Sequence, residues 1–87
     1  MRYMKEMLMR KIEAHDFTIT DLKLRNVILI EENKNLLIKV DRESDDAMIK
    51  LLRRQISTNN KKIEIYFGVV EKLVIKREQL QMEYDNL

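Results

Sequence analysis

The chain has no cysteine, no proline and no tryptophan, and only one glycine and one histidine in 87 residues. Without cysteine there is no disulfide framework, no thiolate metal site and no cysteine nucleophile. Without proline, and with Gly68 as the only glycine, the usual punctuation of a chain is missing. Element boundaries must therefore be read from caps, polar clusters and periodicity. Long apolar runs are also lacking. The longest, Val27 to Ile30, is four residues, against roughly 20 for a membrane span. The opening MRYMKEMLMRKI is broken by charge every few residues and reads as no secretory signal. These absences lead to an expectation of one small cytoplasmic domain over residues 1–87, in which about 60% of the unfolded surface is buried.

What is present is apolar and charged in nearly balanced measure. Hydrophobic residues make up 45% and charged residues 37%, too rich in core formers for a disordered chain. Ile, Lys and Asn contribute 26 residues, whereas Gly, Ala, Arg and Pro contribute ten. That contrast follows AT-rich codons and suggests a phage or low-GC bacterial origin.

Periodicity leads to an α+β expectation. From Arg2 to about Ala14, Met4, Leu8 and Ile12 recur at helical spacing. Thr18 and Asp21, with Phe17 and Leu22 beside them, have the spacing of a capping box and hydrophobic staple for a short second helix. Wound as a helix, residues 22–40 place apolar side chains all round the wheel. Wound as strands, Val27 and Leu29 pair with Val40 and Ile38 across the polar Glu32-Asn33-Lys34-Asn35. A β-hairpin over about 26–41 is the reading.

A helix over about 44–57, capped by Ser44, follows. Ser57-Thr58-Asn59-Asn60 ends it, a third strand covers about 62–67, and a last helix runs over about 69–86. This element order resembles small KH-like modules and the N-terminal domains of bacterial replication initiators over roughly residues 17–68. The GxxG loop of KH domains is missing, so no functional residue carries over.

The alternative is an all-α helical bundle or coiled coil. With Ile49 at heptad position a, the a positions read Ile49, Ile56, Ile63, Val70, Arg77 and Tyr84. The d positions read Leu52, Asn59, Tyr66, Leu73, Leu80 and Leu87. Against it stand Ile65, Phe67, Val69, Val74 and Ile75, which a lone two-stranded coil would leave off its seam.

Chemistry-bearing residues are few. His15 lacks a ligand set or a nucleophile at helical spacing, and reads as a residue near a helix C-terminus. Asp41, Glu43, Asp45 and Asp46 lack the glycine and terminal glutamate of an EF-hand loop, and read as complements to a helix dipole. No phosphate loop, paired-His helix or serine elbow is present. The expectation is a non-enzymatic regulatory module without metal or cofactor that binds another protein. It would form a homo-oligomer through Val70, Leu73, Leu80, Tyr84 and Leu87. One alternative is a nucleic-acid-binding regulator using Lys50, Arg53, Arg54, Lys61 and Lys62, which share a stretch free of acids. A net charge of only +2 weighs against it. The other alternative, a coiled-coil assembly or scaffold factor, follows if residues 26–40 are helical.

Overall fold

A computed structural model describes residues 2–87, and these form two helices joined by a tight turn. Helix α1 spans Arg2–Arg42 and helix α2 spans Asp46–Asp85. The α+β expectation is therefore overturned: no strand occurs among the described residues. Residues 26–41 and 62–67 lie inside α1 and α2, and the resemblance in element order to KH-like modules falls with the strands. The chain is a helical hairpin measuring 66 × 14 × 13 Å. A 41-residue helix rises about 61 Å, so each helix runs almost the full length.

The composition accounts for such long helices. No proline removes a ladder bond, and the single glycine lies within α2 without breaking it. Isolated polar residues are absorbed. Thr18, expected as an N-cap, lies within α1 and donates its hydroxyl to the Ala14 carbonyl at 3.0 Å. Such i−4 back-bonding leaves the helix intact. His15 lies in mid-helix, not at a C-terminus, with Nδ1 donating to the Lys11 carbonyl at 2.8 Å.

Between the two helices, only Glu43, Ser44 and Asp45 leave helical geometry. The Glu43 carboxylate accepts from the backbone N–H of Ser44 (3.2 Å) and Asp45 (3.1 Å). Asp45, one residue beyond the expected cap at Ser44, is the N-cap of α2: its backbone is extended and its carboxylate accepts from Ala47 N–H at 3.0 Å. Asp46 adds a negative charge in the first turn, where it complements the helix dipole.

The seam follows a heptad in each helix. In α1 the buried Ile12, Ile19, Asn26 and Asn33 succeed one another at seven-residue intervals, with buried Leu36 on the flanking d row. In α2 the buried residues are Leu52, Asn59 and Val70, each an a or d position of the heptad that starts at Ile49. The partner of this heptad is α1 of the same chain, running antiparallel.

Three asparagines are buried in the seam. Asn59 Nδ2 donates to Asn33 Oδ1 at 2.9 Å, and Asn33 Nδ2 donates to Asn60 Oδ1 at 2.9 Å. A polar residue at a core heptad position costs stability and fixes register. Here the Asn33–Asn59–Asn60 chain is satisfied only when α1 and α2 are aligned at this level. Asn26 is less complete: Nδ2 donates to the Ile63 carbonyl at 3.3 Å, while its buried Oδ1 has no partner. Farther from the turn, Arg77 Nε and a second guanidinium nitrogen reach the Asp16 carboxylate at 3.0 and 3.5 Å. Near the open end the Lys5 ammonium lies 5.2 Å from the Tyr84 ring centre, a cation–π distance.

Candidate interaction surfaces

Packing along one seam uses only the a and d rows. In an antiparallel pair the flanking e rows of both helices lie on one side and the g rows on the other. The b rows extend the first side and the c rows the second. Grooves on the surface follow this division. On the e side, Lys23, Val27, Ile30 and Phe67 wall a groove floored by Asn26, Ile63 and Val70. On the g side, one hollow lies among Arg25, Ile28, Lys62 and Tyr66, and a second among Glu32, Leu51, Gln55 and Thr58.

Both sides carry exposed apolar residues. Phe67 is 60% exposed and Val27 equally so on the e side, and Ile65 is 62% exposed on the g side. Phe17, at 76%, stands on the outer ridge of α1. Neither the seam nor solubility calls for these side chains, and contiguous exposed apolar surface marks interaction sites. Expectation from sequence did not select Val27, Ile30 and Phe67. Their signal is legible only once the heptad is assigned, because it consists of apolar residues at e and b.

The two sides differ in charge. The e and b rows hold nine acidic against five basic side chains; the g and c rows hold seven basic against three acidic. We refer to them as the acidic and basic sides. On the basic side Arg25 donates through Nε to Asp21 at 3.0 Å. That hydrogen bond, its Coulomb attraction and the Tyr66 hydroxyl nearby raise the Arg25 pKa further above its ordinary value. This cation stays charged over the whole physiological range.

The expected site residues are distributed differently from the sequence reading. Val70 is buried in the seam, and Leu73, Leu80 and Tyr84 are half-buried along it, so α1 covers most of the stripe expected to self-associate; Leu87 is exposed at the open end. The five cations are not gathered into one patch. By heptad position Lys50 and Arg53 belong to the acidic side, Arg54 and Lys61 to the outer ridge of α2, and Lys62 to the basic side. Among the described residues no three His, Asp or Glu side chains are grouped as metal ligands, and no helix is long and apolar enough to cross a membrane. The chain matches no protein-family model, no curated protein and no solved structure.

Proposed function

We propose that this chain is a non-enzymatic helical-hairpin module that binds another protein through its long sides, as an assembly or scaffold factor does. The observation that carries this reading is the apolar surface off the seam, above all Val27, Ile30 and Phe67 on one side and Ile28, Leu51 and Ile65 on the other. A helix laid along either side would bury these residues in the manner of helix-in-groove recognition. The nucleic-acid reading has less support, because its five cations point in three directions around α2.

A photo-crosslinking residue placed at Phe67 or Ile65 in the source cells tests the proposal. Discrete protein adducts are expected from these positions, and none from Glu31 on the charged part of the α1 ridge. Absence of adducts from both sides rejects an interaction role for the hairpin.

A further inference from the structure

The accessible surface of the hairpin is 7075 Å². A compact monomer of 10.6 kDa exposes about 5,500 Å² by the usual scaling, which leaves an excess of roughly 1,600 Å². Obligate dimers bury more than about 1,000 Å² on each partner. The excess is thus the size of a permanent interface, and part of it is apolar.

Charge selects which side forms that interface. The basic side carries cations along its whole length, from Lys39 near the turn through Arg25 and Lys62 at the middle to Lys11 and Lys76 toward the open end. A two-fold axis across it would set cation against cation. On the acidic side the balance of charge shifts along the rod. Between the middle and the turn Lys34, Lys50 and Arg53 accompany Asp41 and Asp46, whereas toward the open end Arg2 is outnumbered by Glu6, Glu13, Asp16, Glu78 and Asp85.

We infer that a second copy of this chain packs antiparallel against the acidic side, about a two-fold axis near Lys23 and Phe67, to form a four-helix bundle. The axis lies at the middle of the rod, beside the groove walled by Val27, Ile30 and Phe67. Rotation about it brings the level of Ile30 to that of Val74, and Leu37 to that of Met9, so apolar meets apolar. It brings Lys34 to the level of Glu78 and Glu13, and Lys50 to that of Glu6. The contact is isologous and closed, and it leaves the basic sides of both copies facing outward. This inference rests on the interaction-module reading and names one partner for it.

The test is mass in solution for the full chain, by sedimentation equilibrium at micromolar concentration, with helicity followed by circular dichroism. Twice 10.6 kDa is expected. Phe67→Glu should halve the mass and keep the helicity, since Phe67 is exposed in the single hairpin, whereas Ile65→Glu on the basic side should leave the mass doubled. Lys34→Glu should weaken the pair, and adding Glu78→Lys should restore it. These two positions lie about 33 Å apart within one hairpin, given a 1.5 Å rise per residue, so rescue reports on a contact between copies. A wild-type mass of one chain overturns the inference, as does a mass that climbs without limit with concentration, or disruption by Ile65→Glu instead of Phe67→Glu. A monomeric chain that still yields adducts to a different protein in cells overturns the dimer and leaves the interaction-module reading standing.

Discussion

At the scale of single residues, Asn26 and Asn33 form a natural pair for comparison. Both are buried at the same heptad position of α1, one heptad apart. Asn33 both donates and accepts, to Asn60 and from Asn59. Asn26 only donates, and its buried oxygen is unpaired. An unsatisfied buried acceptor costs about 1–3 kcal/mol, whereas removing one member of a satisfied pair exposes that cost in its partner. Asn26→Ile should therefore raise the denaturation midpoint, by an amount worth about 1 kcal/mol. Asn33→Ile should lower it by about as much, because the Asn59 amide loses its acceptor. Equal shifts of the same sign in chemical denaturation would show that the two amides are not distinguished by their bonding. Gly68 supplies a second contrast. It is helical, and a Cβ added there meets nothing within 4 Å. Gly68→Ala should stabilise the helix by about 1 kcal/mol, seen as a melting temperature higher by roughly 4–8 °C for a domain of this size. Because Gly68 stands on the outer ridge of α2, the oligomeric mass should not change.

At the scale of elements, the same asparagines explain how much of the fold was legible. The heptad from Ile49 was readable in the sequence, and it is the seam row of α2. The matching row of α1 was hidden, because Asn26 and Asn33 interrupt its apolar stripe at the positions that would reveal it. At the same time Val27, Ile28, Ile30, Leu37 and Ile38 are exposed off the seam, so the wheel looks apolar in every direction. Glu32-Asn33-Lys34-Asn35 and Asn59-Asn60 then resemble turns, since asparagine favours turns when it is solvated. Here Asn33 and Asn59 bond each other across the seam instead. The alternation of Leu36, Ile38 and Val40 is real but local, and nothing breaks a helix between Arg2 and Arg42. The residues that weighed against a coiled coil are divided between the two sides of the hairpin, Phe67 and Val74 on one and Ile65 and Val69 on the other, with Ile75 on the outer ridge. The candidate surface was thus present in the sequence as an objection to the correct fold. If the asparagine chain sets the alignment of α1 on α2, replacing Asn33 and Asn59 together by Leu should raise thermal stability while loosening register. Hydrogen–deuterium exchange at amides flanking these positions should then report more than one alignment, and a single sharply protected pattern would deny the asparagines that role.

At the scale of the molecule, shape is the most exposed consequence of the fold. The Cα radius of gyration is 19.5 Å, against about 12 Å for a compact chain of this length. A rod this thin has little interior, so each helix protects only one strip of the other and the remaining faces stay open to partners. Shape also separates the ways in which two rods can associate. A side-by-side pair with axes about 10 Å apart keeps the radius of gyration at about 20 Å, whereas a tip-to-tip pair of 66 Å rods raises it to roughly 38 Å. Small-angle scattering should therefore find that the scattering mass doubles between Phe67→Glu and the wild type while the radius of gyration moves by less than about 1 Å, as lateral packing at that spacing requires. A radius that rises steeply with mass would place the contact at the turn or the open end. The apolar groove between Val27 and Phe67 would then be left for a different protein, and the self-complementary charges of the acidic side would need another explanation.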